Sequence, residues 1–259
     1  MRRVPEVTAL FWIVKVLTTA LGESASDYLV HVVSPMVAVG LGAVGFAIAM
    51  VWQLSVRRYI AWVYWFVVAM VAVFGTMAAD VLHIGLGVPY LDSTIFFSIA
   101  LIAVFSVWYA VERTLSIHSI YTARREMFYW LTVVTTFALG TSAGDMTAST
   151  MRLGYLDSGV LFAALISVVG VAYYVTRRFL TAEYRQDYLN AVAAFWLAYI
   201  LTRPLGASFA DWMGKEPRFG GLGWGDGLVS VALTAAIVAL VAYLARTRVD
   251  VERTGPAFR

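Results

Sequence analysis

The stretch FWIVKVLTTALGESASD, Phe11 to Asp27, places Lys15, Glu23 and Asp27 in a segment that otherwise has the composition of a membrane span. An ionised carboxylate is costly in hydrocarbon, and acids that are kept inside spans usually serve a function. The same design recurs in YWFVVAMVAVFGTMAAD (64–80), YWLTVVTTFALGTSAGD (129–145) and FWLAYILTRPLGASFAD (195–211). Each copy has an aromatic-Trp pair, a glycine ten residues after the tryptophan and an aspartate five residues after the glycine. The chain is therefore predicted to contain four copies of an internal repeat.

The repeat defines four equivalent sets of residues. The tryptophans are Trp12, Trp65, Trp130 and Trp196; the glycines are Gly22, Gly75, Gly140 and Gly206; the aspartates are Asp27, Asp80, Asp145 and Asp211. The residue after each glycine lies four before the aspartate and hence on the same helical face. These partners are Glu23, Thr76, Thr141 and Ala207. The first copy is thus rich in acids and the fourth is poor in side-chain oxygens. If the four copies form a ring, its members are therefore expected to have specialised.

Composition indicates an integral membrane protein. The 259 residues are 61% hydrophobic and only 14% charged, with a mean hydropathy of +0.78, whereas soluble domains contain about 25% charged residues. Apolar runs of about 20 residues, enough to cross a bilayer, fall at 8–27, 35–56, 60–81, 93–112, 127–146, 158–176, 188–211 and 227–245. We predict an all-α transmembrane domain over 1–259, with eight spans in four two-helix repeats, at approximately 8–58, 60–113, 126–178 and 188–247. No cleavable signal peptide is expected, since Met1 to Pro5 leads directly into the first span.

The basic residues predict the orientation of the spans. Of the 19 Lys and Arg residues, fourteen lie at the N-terminus or after the even-numbered spans and three after the odd-numbered spans. Lys15 and Arg203 fall inside spans. By the positive-inside rule both termini are cytoplasmic. The pI of about 9.2 then reports membrane orientation and not nucleic-acid binding. With no cysteine, the chain has no disulfide and no thiolate metal site.

Two-span units leave every copy in the same orientation, so the repeats are parallel. The four aspartates are then expected at a similar depth, facing one another if the odd-numbered helices gather around one axis. The sequence leaves open whether such a ring closes within one chain or between subunits of a homo-oligomer.

Clustered carboxylates and hydroxyls without thiols predict a site for a hard cation such as Mg²⁺, Ca²⁺ or Mn²⁺. His83 would shift the preference towards Mn²⁺, Zn²⁺ or another transition metal. Protons are a further candidate, because clustered carboxylates raise one another's pKa. The candidate ion-binding residues are Glu23, Asp27, Thr76, Asp80, Thr141, Asp145, Asp211 and Arg203; the candidate metal ligands are Glu23, Asp27, Asp80, His83, Asp145 and Asp211. Arg203 either neutralises an acid of another repeat or forms a static buried pair. No cofactor is otherwise indicated.

Several features are predicted to be structural. The aromatic-Trp pairs fit an interfacial belt, and Lys15 is expected to snorkel to the cytoplasmic face. Asp92, Asp157 and Asp226 stand just before even-numbered spans and are expected to cap them, while Ser34-Pro35 offers another helix start. The alternative for the motif aspartates is that each lies at a helix end and pairs locally.

The four hairpins, with KVLTTALGESASDYL in the first and ERTLSIHSI (112–120) midway, resemble a family of uncharacterised bacterial membrane-anchored proteins built from a repeat of unknown function. The resemblance covers roughly Val7 to Arg246. It implies a multi-pass protein of a bacterial inner membrane and no particular mechanism. The fourth copy departs most, with Ala207 after its glycine and the longer loop KEPRFGGLGWGDG after its aspartate.

The leading hypothesis is a transporter or channel-like exporter for a small cation, with a proton-coupled divalent metal favoured. The chain contains no P-loop motif, so an ion gradient would drive it. The alternative is a membrane redox or sensory component that uses His31, His83 or His118. An enzyme is not expected, because no nucleophile and base have suitable spacing, and a scaffold would seldom retain acids in its spans.

Overall fold

The computed structural model describes residues 2–180 and 184–251, which form helices and contain no strand. Arg253 and Arg259, two of the predicted cytoplasmic cations, lie outside the described residues. The eight long helices are α1 (Ala9–Val32), α2 (Pro35–Ser55), α3 (Ala61–Asp80), α4 (Tyr90–Glu112), α5 (Ala123–Asp145), α6 (Gly154–Val175), α7 (Tyr184–Gly214) and α8 (Asp226–Thr247).

Six of these helices, all except α1 and α5, are long and apolar enough to cross a membrane. They suggest a multi-pass membrane protein and support six of the eight predicted spans. The other two helices carry more charge: α1 contains Lys15, Glu23 and Asp27, and α5 begins with Arg124 and Arg125. Their crossing of the bilayer stays a prediction.

The odd-numbered helices form the centre of the molecule. Helix α1 packs against α3, α3 against α5, α5 against α7, and α7 returns to α1, so the ring closes within one chain. The even-numbered helices lie outside this ring and are mostly exposed. In the apolar windows of α3 and α4, for example, 56% and 11% of the residues are buried by protein. Such exposed apolar faces are what lipid would cover.

The outer helices do not pack mainly on their own hairpin partners. Helix α2 packs chiefly against α3, α4 against α5, α6 against α7, and α8 against α1. The predicted two-helix unit is therefore correct as a sequence repeat but shifted by one helix as a packing unit. Helix α8 closes the assembly, because it covers the helix with which the chain begins.

The motif glycines allow the central helices to approach closely. Each glycine faces the residue three positions before the glycine of the next repeat. A Cβ on Gly75 would lie 3.1 Å from Phe137 Cβ, and one on Gly140 would lie 2.6 Å from Arg203 Cβ. The same overlap would arise between Gly22 and Ala72, and between Gly206 and Thr19. The contacts follow a pseudo-fourfold arrangement, as expected for small residues between packed membrane helices.

Six of the eight residues of the aromatic-Trp pairs, all except Trp12 and Phe195, are buried within the protein, so the predicted interfacial belt is wrong for them. The first aromatic residue of each pair contacts the tryptophan of a neighbouring central helix. The ring-centroid distances are 5.6 Å for Phe11–Trp65, 5.5 Å for Tyr64–Trp130, 6.1 Å for Tyr129–Trp196 and 5.6 Å for Phe195–Trp12. We call this end of the ring the tryptophan end, and the end with Asp27, Asp80, Asp145 and Asp211 the carboxylate end.

Segments rich in arginine meet at the tryptophan end. The backbone N–H of Arg3 donates to the Ile120 carbonyl and that of Tyr59 to the Arg2 carbonyl, each at 3.0 Å. The N–H of Glu6 donates to the Asp250 carbonyl at 2.9 Å. The amino-terminal segment thus joins the α2–α3 and α4–α5 connections to the residues after α8.

The predicted helix starts are only partly correct. Helix α2 begins at Pro35, directly after Ser34, as expected. Asp92, Asp157 and Asp226 lie in the first turns of α4, α6 and α8, but none of these helices has a side-chain capping hydrogen bond. Side-chain capping therefore does not account for these acids, although their positions suit the positive end of the helix dipole. Asp226 also lies 3.7 Å from Lys215 Nζ.

Candidate functional site

Arg203 of α7 lies at the centre of the ring and is fully buried. Its Nη2 donates to Glu23 Oε2 at 2.7 Å, to Thr141 Oγ1 at 2.9 Å, and to Thr76 Oγ1. These three acceptors occupy the position after the motif glycine in the first three repeats. The fourth repeat has Ala207 at this position and needs no acceptor there, because Ala207 lies one turn after Arg203 on the helix that supplies the donor. Arg203 thus pairs with an acid of another repeat.

The two threonines are oriented by their own helices. Thr76 Oγ1 donates to the Ala72 carbonyl at 2.9 Å, and Thr141 Oγ1 donates to the Phe137 carbonyl at 3.0 Å. Each hydroxyl therefore has only lone pairs left to offer to the centre of the ring. A buried guanidinium needs such acceptors, because an unpaired buried charge is strongly unfavourable.

The pairing of Arg203 is incomplete. Its Nε and Nη1 atoms are buried and have no hydrogen-bond acceptor among the described residues. Gly140 leaves room for the aliphatic part of this side chain, and Arg203 also lies 5.8 Å from the centre of the Phe137 ring. The guanidinium is held firmly on one side only.

Lys215 lies at the carboxylate end, just beyond the end of α7. Its Nζ forms an ion pair with Asp27 Oδ2 and lies 3.7 Å from both Asp211 Oδ1 and Asp226 Oδ2. Burial lowers the pKa of Lys215, but Asp27 and Asp211 outweigh this effect and raise the pKa above its ordinary value. The amine is therefore a cation at neutral pH, held among carboxylates from α1, α7 and α8.

Three of the predicted metal ligands come together. Glu23, Asp27 and Asp211 each offer a carboxylate oxygen within 4.8 Å of the other two. Oxygens that bind a common Ca²⁺ or Mg²⁺ lie about 2.0–2.6 Å from the ion, which permits separations of this size. Within the part of the chain that the structure describes, this is the group of acids and histidines close enough to share an ion.

Asp80 and Asp145 lie outside that group but within its electrostatic field. Both interact with Glu23 and with Arg203. Over residues 2–180 and 184–251 neither carboxylate has a hydrogen bond or an ion pair. A π-helical turn follows each of them directly, at Val81–Gly85 and Met146–Thr150, and such turns are frequent at functional sites. The second and third repeats therefore end differently from the first and fourth.

His83 is engaged in contacts away from the three-acid group. Its Nδ1 lies 3.0 Å from the Val88 carbonyl, which requires an N–H there, and its Nε2 lies 3.4 Å from Ser142 Oγ. The ring also packs on Tyr90, with centroids 4.1 Å apart. His83 thus links the end of α3 to α4 and α5.

The other two histidines lie in separate places. His31 is exposed near the end of α1, and its Nδ1 is 2.6 Å from the Asp27 carbonyl. His118 lies between α4 and α5, half exposed, with Nδ1 3.7 Å from Glu6 Oε2. In the ERTLSIHSI segment, Glu112 pairs with Arg124 and Arg125 and so fixes the start of α5.

Lys15 does not reach the surface, so the snorkelling prediction is wrong. The residue is 1% exposed, and its Nζ lies 4.1 Å from the centre of the Phe137 ring and 4.2 Å from that of Tyr199. No hydrogen-bond acceptor for Nζ occurs among the described residues. The Nζ atom therefore lies over two aromatic rings, between the tryptophan layer and Arg203.

Lys215 and Asp226 are the site residues that the sequence analysis missed. Lys215 was counted only as a loop cation, although it stands four residues after Asp211, the spacing of an ion pair along a helix. Asp226 was assigned to capping. Two cavities of about 510 Å³ lie elsewhere, one along α6 and α7 and one at the tryptophan end, and no motif carboxylate lines either.

Fold and site together define a class: a helical protein of membrane type, with four repeats arranged around a buried, charged centre. The family model described as Repeat of Unknown Function (DUF347) matches residues 10–59, 63–114, 128–179 and 194–250. The chain belongs to this family, and the prediction of four tandem repeats is confirmed. No curated protein and no solved structure is similar enough to match it.

Proposed function

We propose that the protein is a membrane carrier for a small cation, with a proton-coupled divalent metal ion as the favoured cargo. The observation that carries this proposal is the convergence of Glu23, Asp27 and Asp211, whose oxygens lie within 4.8 Å of one another. The Lys215 ammonium already lies among these carboxylates. A position that accepts a side-chain cation is also suited to a free cation.

The balance of charge supports this role. The carboxylate end of the ring contains five acids of the repeats: Glu23, Asp27, Asp80, Asp145 and Asp211. Among the described residues two cations, Arg203 and Lys215, form ion pairs with them. The remaining negative charge favours uptake of protons or of a further cation. Arrival of a divalent ion would displace protons or Lys215, which provides the coupling.

The tryptophan end favours a carrier over an open channel. Phe11, Tyr64 and Tyr129 are nearly fully buried within the central helices. Phe137 and Tyr199, which are also fully buried, form the next layer towards the carboxylate end. A cation that entered from the carboxylate end would meet Arg203 and Lys15 before it reached Phe11, Tyr64 and Tyr129. Passage therefore requires the central helices to move between two arrangements, as in alternating access.

The orientation belongs to the same proposal. The arginine-rich tryptophan end would face the cytoplasm of a bacterial inner membrane, with both termini inside, and the carboxylate end would face outward. A histidine-based redox or sensory role has less support, because His31, His83 and His118 contact three separate parts of the protein.

The experiment is metal flux into proteoliposomes, measured with Mn²⁺, Zn²⁺, Ca²⁺ and Mg²⁺ across an imposed pH gradient. We expect the wild-type protein to move at least one of these ions and the flux to depend on the gradient. Asp27→Asn should abolish the flux, since it removes one ligand of the three-acid group and the partner of Lys215.

Asp92→Asn is the matched control. Asp92 is an exposed acid in the first turn of α4 and does not belong to the three-acid group, so its amide variant should transport like the wild type. Equal flux through the wild type and Asp27→Asn, or no flux of any cation through correctly folded protein, would overturn the proposal.

A further inference from the structure

A cavity of about 510 Å³ lies at the tryptophan end, where the α2–α3 connection meets the end of α8. Its lining includes three arginines, Arg2, Arg58 and Arg248. It also includes apolar side chains, among them Ile60, Trp62 and Leu244. The cavity is thus amphipathic, and it is separate from the carboxylate cluster.

Two of the guanidinium groups are available to a ligand. Arg58 and Arg248 are exposed and form no ion pair with any residue that the structure describes. Arg248 is held in place by the turn after α8, where it adopts φ 53° and its N–H donates to the Leu244 carbonyl at 2.8 Å. Guanidinium groups bind phosphate oxygens well, and two of them line this cavity.

The start of α3 contributes a second anion-binding element. Ile60, Ala61 and Trp62 line the cavity, and this 20-residue helix has no side-chain capping hydrogen bond. Its first N–H groups are therefore free of side-chain acceptors, and the positive end of the helix dipole points towards the cavity. Arginines and helix start together favour a phosphate group.

Asp250 adds a hydrogen-bond acceptor to the lining of the cavity. Its residue is 2% exposed and lines the same cavity, and one carboxylate oxygen accepts from the Tyr59 hydroxyl. The other oxygen, Oδ1, is buried and has no donor among the described residues. A hydroxyl close to the phosphate of a ligand would satisfy it.

We propose that this cavity binds an anionic phospholipid with a hydroxyl-bearing headgroup, of which phosphatidylglycerol is the simplest. The phosphate lies between Arg58, Arg248 and the start of α3, a glycerol hydroxyl donates to Asp250, and an acyl chain packs on Trp62 and Leu244. Trp62 is 44% exposed and lies at the rim, as aromatic residues do at membrane interfaces.

The test uses native mass spectrometry and thermal unfolding of the full-length protein in detergent. Dioleoyl phosphatidylglycerol should bind and stabilise the wild type more than phosphatidylcholine or phosphatidylethanolamine does. In Arg58→Gln/Arg248→Gln the affinity for phosphatidylglycerol should fall about tenfold or more, since a basic residue near a membrane surface contributes about fivefold to anionic-lipid binding. Both arginines are exposed, so the variant should keep its lipid-free unfolding midpoint.

Arg57→Gln is the control, because Arg57 is an exposed neighbour that does not line the cavity. It should bind phosphatidylglycerol like the wild type. Equal losses in both variants would show a general charge effect and would overturn the site. Equal binding of the zwitterionic lipids, or binding of glycerol phosphate as tight as that of the lipid, would also overturn it, the last by identifying a soluble phosphate ligand.

Discussion

The two ends of the central ring are built from the same four repeats yet differ in kind. At the tryptophan end all four copies make the same contact, an aromatic ring against the tryptophan of the neighbouring helix, over centroid distances of 5.5–6.1 Å. At the carboxylate end the equivalent positions diverge. Glu23, Thr76 and Thr141 accept from Arg203, which itself occupies the position held by Thr19, Ala72 and Phe137 in the other copies.

The difference indicates a division of labour. Equivalent apolar contacts can close a ring of four helices with no need for the copies to differ. A buried guanidinium requires the copies to differ, because one copy supplies the N–H donors and the other copies must supply the acceptors. The tryptophan end therefore stabilises the frame, while the carboxylate end carries the charge chemistry. The variants below perturb one end or the other.

Removal of Arg203 should have the largest effect on stability. Arg203→Met leaves Glu23 buried without its cationic partner, and loss of one member of a buried ion pair costs about 3–5 kcal/mol. The free energy of unfolding in detergent measures the loss. Adding Glu23→Gln should restore much of the stability, because the second change removes the stranded charge. A double variant as unstable as the two single losses combined would show that the pair is not coupled.

Gly140→Ala should come next. The added Cβ would lie 2.5 Å from Arg203 Cγ and 3.0 Å from Pro204 Cδ, and overpacking of this kind costs about 1–3 kcal/mol. Gly170→Ala in α6 is the matched control, because a Cβ there meets no atom within 4 Å. Equal stability of the two variants in thermal unfolding would contradict the close approach of α5 and α7.

Lys15→Met should stabilise the protein. The amine is buried without a hydrogen-bond acceptor among the described residues, and an apolar side chain of similar length removes its desolvation cost. The expected gain is about 1–2 kcal/mol, measured as an upward shift of the unfolding midpoint. A loss of stability would show instead that the contacts with Phe137 and Tyr199 outweigh that cost.

Tyr64→Phe should have the smallest effect. It removes the hydrogen bond between the Tyr64 and Tyr129 hydroxyls and leaves the aromatic packing intact, so we expect a loss of about 0.5–1.5 kcal/mol with no change in cation binding. Altered cation binding in this variant would mean that the two ends are not separate.

Much of the frame could be predicted from the sequence. The W-x9-G-x4-D spacing predicted the repeats. Helical periodicity then placed Glu23, Thr76 and Thr141 each on the same face of its own helix as the motif aspartate. The role of the tryptophans could not be read in this way. Trp65 near a helix start looks the same in sequence whether it faces lipid headgroups or a neighbouring helix, and only the packing distinguishes the two.

The partners across the ring were also beyond the sequence. Arg203 is 180 residues from Glu23, and no local pattern specifies which acid of another repeat it meets. Lys15 was misplaced because its position near a helix start suggested an exit to the surface, whereas Phe137 and Tyr199 surround it. Lys215 could have been found by its spacing from Asp211, but its pairing with Asp27 depends on the closure of α7 against α1.

In the proposed transport cycle, the Lys215 ammonium occupies a position that a cargo cation can take. The most direct test of this claim is the unfolding midpoint of the wild type and of Lys215→Met, titrated with Mn²⁺. The variant should be less stable without metal and should be stabilised at lower Mn²⁺ concentrations than the wild type, by about 2.7 kcal/mol at a hundred times the Kd. Adding Asp27→Asn should remove the response. Identical Mn²⁺ titrations of the wild type and Lys215→Met would contradict the claim.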